Sequence, residues 1–249
     1  MALIKDNGIC IRSTDYSESS QILTFFAKDS GKISIIAKGS RRTKSSFTGT
    51  IEVCSAGDLV FSLREGEKLG TLTEFNPTFF CTGIRKKLLA LNAAFFAAEM
   101  LSLFTKEHDP HPELFDESMF FLKKLDESPD DKILPFLILF EFSLLTFTGS
   151  QPLANICANC KRQFDANWKQ YFFSIAAGGL ICRDCESAFA DKKMLTFESA
   201  FCLSQPQKIT KAKKQSLVQI EEILIEYITY VLEKRPRTVQ MILQLIKTI

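Results

Sequence analysis

The chain has 249 residues, 46% of them apolar and 24% charged, with a formal net charge of +2. That length holds two or three small cores, the composition is that of an ordinary soluble protein, and the charge balance alone neither implies nor excludes nucleic acid as a partner. The opening Met1-Ala-Leu-Ile-Lys-Asp has no basic region followed by a long apolar run and does not read as a secretory signal. The most apolar window, Ile133 to Leu145, is interrupted by Glu141 and too short for a membrane span, so a cytoplasmic protein with no membrane partner is expected.

Two features of composition stand out. There are 23 Phe against one Trp and four Tyr, which predicts cores packed with rings that need no hydrogen-bond partner. Charge is segregated: Lys28, Lys32, Lys38, Arg41, Arg42 and Lys44 oppose a single Asp29, whereas residues 107–131 are dominated by Asp and Glu. Such a chain can present one basic face to a polyanion.

Residues 3 to about 76 read as β-structure. Short β-branched or aromatic runs at Gly8–Thr14, Gln21–Ala27, Lys32–Lys38, Gly49–Cys54, Asp58–Leu63 and Leu69–Phe75 are bounded by turn residues. Five or six strands in so short a stretch predict a small barrel, and an OB fold first among such barrels. Beyond Asn76-Pro77 the period becomes helical, predicting an amphipathic helix from about Thr82 to Thr105, with Arg85, Lys86 and Lys87 in its first turns opposing the helix dipole. His108-Asp-Pro-His111 reads as a connector. Two further helices are expected over Glu113–Leu125 and Lys132–Thr148, the second buried and ended by Gly149, with Phe136, Phe140, Phe142 and Phe147 in the core.

Then come Cys157-Ala-Asn-Cys160 and Cys182-Arg-Asp-Cys185, separated by an aromatic loop and Gly178-Gly179. Two Cys-x-x-Cys pairs offer four soft ligands and no fifth, the pattern of a closed tetrahedral site holding one structural Zn²⁺. Iron of the rubredoxin kind uses the same ligands, and free thiols or two disulfides are the plainer alternatives. Cys10, Cys54, Cys81 and Cys202 are scattered among apolar residues, the setting of buried thiols. A second basic cluster, Lys208, Lys211, Lys213 and Lys214, precedes a strong helix whose Leu217, Ile220, Ile223, Leu224, Tyr227, Ile228 and Val231 share a face, and Arg235-Pro-Arg237 separates it from a last short helix.

The expected architecture is α+β and multidomain: an OB-fold barrel over residues 1–78, a helical domain beginning at 79–154, an inserted four-cysteine module at 155–190, and C-terminal helices at 191–249 that return to the helical domain. No nucleophile–base pair, Walker loop or Gly-x-Ser-x-Gly elbow is present, so a binding protein is expected rather than an enzyme. The best binding candidate is Lys38-Gly-Ser-Arg41-Arg42-Thr-Lys44-Ser-Ser, whose cations and hydroxyls suit phosphate oxygens. A solvated loop is the plain reading of the same run. Arg12, Phe25 and Phe26 on the neighbouring strands offer packing or stacking, with Phe read as core before platform. Arg85, Lys86, Lys87, Lys211, Lys213 and Lys214 are candidate secondary basic contacts. A zinc-containing protein-interaction scaffold without direct DNA binding is the alternative, and a nuclease- or ligase-like enzyme a third.

Asp15-Tyr-Ser-Glu18 leading into Ile22-Leu-Thr-Phe-Phe, then Gly31-Lys-Ile-Ser and Ala37-Lys-Gly-Ser-Arg41-Arg42, the two cysteine pairs with Phe173-Ser174 and Gly178-Gly179-Leu, and the late Arg235-Pro236 together resemble the RecO family of bacterial recombination mediators. The resemblance covers essentially the whole chain. It implies an OB-fold domain, a helical domain and a zinc module, and a non-enzymatic role in homologous recombination and DNA repair at the nucleoid. That role consists of binding single- and double-stranded DNA, annealing complementary strands, and working with RecR to load RecA onto strands coated by single-strand-binding protein, whose tail is contacted by the helical part. It carries DNA contact onto Lys38, Arg41, Arg42 and Lys44.

Overall fold

The computed structural model describes residues 3–42, 47, 49–64, 66–165 and 167–248. They form two compact units, Met1–Ser128 and Pro129–Ile249.

The first unit is built on five strands, β1 (Ile4–Asp15), β2 (Gln21–Ala27), β3 (Gly31–Ala37), β4 (Ala56–Ser62) and β5 (Gly70–Phe79). They close into a barrel of order β1-β2-β3-β5-β4, β1 pairing back onto β4, as expected of an OB fold. Along β3, Ile33, Ile35 and Ala37 are buried while Lys32, Ser34 and Ile36 are not, the two-residue alternation of a strand with one face on a core. That core holds Leu23, Phe25, Ile33, Ile35, Leu59, Phe61, Leu72 and Phe75, with the Phe25 and Phe75 rings 5.6 Å apart. The seam is parallel and short: β3 meets β5 only at Ile35↔Gly70 and Ile36↔Thr71.

Two expectations change here. The run Gly49–Cys54 forms no strand among its described residues. Cys54 has a φ of 71°, and its N–H donates to the Cys10 carbonyl (2.7 Å) beside the irregularity in β1 between Cys10 and Arg12, which turns the chain before β4. In contrast, β5 continues through Pro77 to Phe79. Its end pairs with β4 alone, so the missing proline N–H costs no ladder bond on the other side.

Helices α1 (Leu88–Phe104) and α2 (Pro112–Glu127) complete the unit, α2 packing Phe115 on Phe26 with ring centroids 6.2 Å apart. The expected start of α1 near Thr82 moves to Leu88. The Asp126 carboxylate accepts from the N–H groups of Gly83 (2.7 Å) and Ile84 (2.8 Å), fixing a 3-10 turn over Ile84–Lys86, and Lys87 is extended. Two lysines serve helix ends. Lys32 Nζ donates to the carbonyls of Ser102 (2.7 Å) and Thr105 at the end of α1, and Lys87 Nζ to those of Leu125 (2.7 Å), Asp126 (3.0 Å) and Ser128 (2.8 Å) at the end of α2. Each cation meets carbonyls that the helix leaves unpaired, at the negative end of its dipole.

The second unit begins with α3 (Ile133–Phe147), which stops at Gly149. There the φ is +73°, Gly149 N–H reaches the Thr146 carbonyl (3.1 Å), and Ser150 N–H reaches that of Leu145 (2.7 Å), the paired bonds of a glycine C-cap. Phe140 and Phe142 are buried as expected, whereas Phe147 is 39% exposed. A small sheet of order β7-β6-β8 follows, from β6 (Tyr171–Ser174), β7 (Gly179–Cys182) and β8 (Lys193–Leu195). Then come α4 (Phe197–Ser204), α5 (Lys214–Val231) and α6 (Val239–Thr248). Thr196 caps α4, its Oγ1 accepting from Ser199 N–H (3.1 Å), which resolves the ambiguous stretch after the cysteines into a strand end and a helix. α5 packs on α3, burying Leu217, Ile220, Ile223, Leu224 and Ile228. Among the described residues no helix is long and apolar enough to cross a membrane.

Candidate nucleic-acid interface and metal centre

The four paired cysteines converge. Their sulfur atoms all lie within 4.8 Å of one another, and Cys160 Sγ is 3.8 Å from Cys182 Sγ. A tetrahedral tetrathiolate with metal–sulfur bonds of about 2.3 Å has sulfur–sulfur edges of about 3.8 Å, so the donor set fits a soft divalent ion with every position filled by protein. The first pair sits in a tight knuckle: Cys157 N–H donates to the Arg162 carbonyl (2.7 Å), and Lys161, at a φ of 63°, returns its N–H to the Cys157 carbonyl (3.0 Å). The second pair lies at the end of β7 and in the 3-10 turn Arg183–Ala188. Ala158 N–H reaches the Leu180 carbonyl (2.7 Å) and Arg162 pairs with Asp184 (2.6 Å), each joining one knuckle to the other. Burial resists ionisation of Cys157, but N–H groups of Cys182, Cys160 and Asn159 outweigh it and hold this thiol below its ordinary value. Burial and the neighbouring thiols push Cys182 up. An aromatic series from Trp168 through Phe164, Tyr171 and Phe197 to Phe201, with successive centroids 5.6–5.9 Å apart, fastens the module to α4.

In the barrel unit the basic loop leaves β3 at Ala37. Gly39 has a φ of +78° and its carbonyl accepts from Arg42 N–H (3.1 Å), forming a turn that presents Lys38, Arg41 and Arg42 to solvent. The turn abuts the β1–β2 connection. Arg41 N–H reaches the Ser19 carbonyl (3.2 Å), and its guanidinium reaches the Ser17 carbonyl (3.2 Å) and Asp15 (3.1 Å). Lys38 and Arg42 make no ion pair among the described residues. Lys44, the fourth residue of this set, lies outside the described residues.

Phe25 and Phe26 are fully buried and offer no stacking face, whereas Tyr16, beside the Arg41 contacts on the β1–β2 turn, is 64% exposed. In the sequence Tyr16 stands out only as part of the Asp15-Tyr-Ser-Glu18 segment that leads into β2. Its signal is an aromatic ring within a polar turn, where no core is available to take it.

A family model described as Recombination protein O N terminal matches residues 1–80, and one described as Recombination protein O C terminal matches residues 85–240. The chain belongs to the RecO family. A protein named DNA repair protein RecO from Rhodopirellula baltica is 33% identical over 178 residues, 72% of this chain and 65% of that protein. Proteins of the same name from Bacillus pumilus (29%, covering 90% of this chain and 88% of theirs) and Dehalococcoides mccartyi (28%, 94% and 92%) align over nearly the full length.

The remaining basic candidates of this RecO-family chain differ in what they touch. Arg85 pairs with Glu52, Lys86 is exposed, and Lys87 is committed to the end of α2. Lys211, Lys213 and Lys214 are exposed in the second unit, the last two at the start of α5, where cations oppose the helix dipole. Of the earlier lysines, Lys28 pairs with Asp116 (2.8 Å), and Lys32 is turned inward to α1. His111 sits 3.4 Å from Asp109 in the connector before α2.

Proposed function

We propose that this protein is a DNA-binding recombination mediator. It binds single- and double-stranded DNA through the barrel rim, anneals complementary strands, and with RecR helps load RecA onto DNA coated by single-strand-binding protein, at the nucleoid in the cytoplasm. The observation that carries the reading is the turn of Lys38, Arg41 and Arg42 packed beside exposed Tyr16 at one end of a five-stranded barrel, in a chain of the RecO family. OB barrels bind oligonucleotides on the strand 2–3 face and adjoining loops, combining cations that follow the backbone with rings on which bases stack.

Annealing asks that two polyanions be held side by side. Cations that neutralise phosphates release condensed counterions, and each contact adds roughly 0.7–0.9 to the salt slope of binding. Contacts to backbone carry no sequence information, so discrimination is left to base pairing. Arg42 is the strongest contributor in this reading because it is exposed and unpaired among the described residues, whereas Arg41 must first leave Asp15.

The four-cysteine site is assigned one structural Zn²⁺, held by Cys157, Cys160, Cys182 and Cys185. When bound, the ion supplies cross-linking and no open position for substrate. The four-part division at residues 1–78, 79–154, 155–190 and 191–249 belongs to the same proposal, as do Lys44 and the secondary contacts at Arg85, Lys86, Lys87, Lys211, Lys213 and Lys214. Strand annealing on DNA precoated with single-strand-binding protein tests the function. The native protein accelerates annealing and the Arg41→Ala/Arg42→Ala protein does not. Equal rates with and without the native protein overturn the reading.

A further inference from the structure

Gln21 opens β2 at the barrel rim and is 1% exposed. A primary amide offers two N–H donors and two acceptor lone pairs, and here all four are engaged. Oε1 accepts from Ser40 Oγ (3.0 Å) and from Ile51 N–H (3.1 Å), while Nε2 donates to Ser13 Oγ (2.9 Å) and to the Ile51 carbonyl (3.1 Å). The Ile51 backbone fixes which way the amide faces, because a flipped amide would set donor against donor and acceptor against acceptor.

The side chain thus joins three segments that no strand pairing brings together. These are β1 through Ser13, the basic turn through Ser40, and Ile51, where the chain returns toward β4. Ser13 Oγ reinforces the arrangement by donating to the Ile51 carbonyl (3.1 Å), and Ser40 Oγ, 0% exposed at its residue, shares its proton with the Ala37 carbonyl (3.2 Å). Ser40 immediately precedes Arg41 and Arg42. The exposed cations therefore stand on a buried, hydrogen-bonded base of which Gln21 is the centre.

We propose that Gln21 is a positioning residue for DNA binding, holding Ser40 against Ile51 so that Arg41 and Arg42, which follow Ser40 directly, meet phosphates without first being ordered. This role rests on the DNA-binding reading above. A turn ordered before the encounter loses less conformational entropy on binding. Gln21 touches no DNA itself, so its loss weakens affinity while the number of phosphates neutralised, and hence the salt slope, stays the same.

The test compares Gln21→Met, close in size but without the amide, with the native full chain in two independent measurements. Residue-resolved amide exchange without DNA is expected to quicken at Ile51 and over residues 38–42 while the β2 and β4 amides keep their protection. Binding of a fluorescent single-stranded oligonucleotide is expected to weaken about tenfold at unchanged salt slope, and less than about twofold when the substitution is made in the Arg41→Ala/Arg42→Ala background, since residues acting through one another do not add. Should Gln21→Met lose the barrel, Ser40→Ala, which removes the hydroxyl shared between Gln21 and the Ala37 carbonyl and leaves Ile51 bridged, is measured in its place. Unchanged exchange over the loop overturns the positioning role alone. Quickened exchange in a protein whose Arg41→Ala/Arg42→Ala form binds as tightly as native overturns the DNA reading, and the role with it. An equal loss of affinity in both backgrounds assigns Gln21 to general stability and overturns the role.

Discussion

Glu141 on α3 and Glu221 on α5 face one another in the core of the second unit, each 0% exposed, with all four carboxyl oxygens buried and no partner from elsewhere among the described residues. Two carboxylates cannot occupy that position together, so the pair must share a proton. Burial pushes both groups above the ordinary carboxyl range, and the adjacent acid adds to the rise at Glu141. The folded state then holds protons that the unfolded chain releases. Stability from this pair is complete below the unfolded carboxyl value and is lost as pH rises toward the folded value, at about 1.4 kcal/mol per pH unit for each proton involved. Urea unfolding followed through Trp168, the only tryptophan, is expected to show stability falling with rising pH, and Glu141→Gln is expected to flatten that curve. Parallel curves for the two proteins would place the pH dependence elsewhere.

Replacing a cysteine of the second knuckle tests the metal centre. The native chain is expected to hold one equivalent of zinc and Cys185→Ser less than about 0.2, because three thiolates no longer close a tetrahedron, and the substitution is expected to lower the Trp168-reported melting midpoint by more than about 10 °C. Elemental analysis and fluorescence melting check this together. Full zinc content in the variant would show that the four sulfurs do not act as one ligand set.

Arg41 and Arg42 differ in their neighbours, which yields opposite predictions. Arg42→Ala is expected to reduce the slope of log K against log salt by about 0.7–0.9 with no preference among DNA sequences. Asp15→Asn, which frees Arg41 from its 3.1 Å pair, is expected to tighten binding severalfold at low salt. Fluorescence anisotropy across a salt series reads both, and weaker binding in Asp15→Asn would mean that the pair orders Arg41 more than it competes for it.

Lys32 provides a contrast within the same basic stretch. Its ammonium caps α1, and burial depresses its pKa. Lys32→Met is therefore expected to destabilise the first unit by about 2 kcal/mol, the worth of charged hydrogen bonds to otherwise orphaned carbonyls, and to leave the salt slope untouched. Denaturant unfolding and the same anisotropy series separate the two effects.

The contrast shows why some of this protein is readable in its sequence. Strands β2 and β3 announce themselves because their alternation is local, and the cysteine pairs because ligand spacing within each knuckle is local too. What stays hidden depends on distant partners. The start of α1 is set by Asp126 from the far end of α2, and the loss of strand at Gly49–Cys54 by the backbone bond from Cys54 to Cys10. Lys28, Lys32 and Arg42 look alike in a charge run, and only the fold turns Lys32 inward and leaves Arg42 in solvent. Glu141 is legible as an interruption of an apolar helix, but nothing local points to Glu221.

Mechanically, the barrel is not equally strong in every direction. β3 is tied to β2 by seven residue pairs, Gln21↔Ala37 through Ala27↔Gly31, and to β5 by two. A load applied to the turn beyond Ala37 enters the sheet through β3. Pulled along the strand, it shears the β2 ladder as a whole; pulled sideways, it peels two pairs. A flexible polymer tugging on this rim therefore meets a stiff anchor along one axis and a compliant hinge along the other.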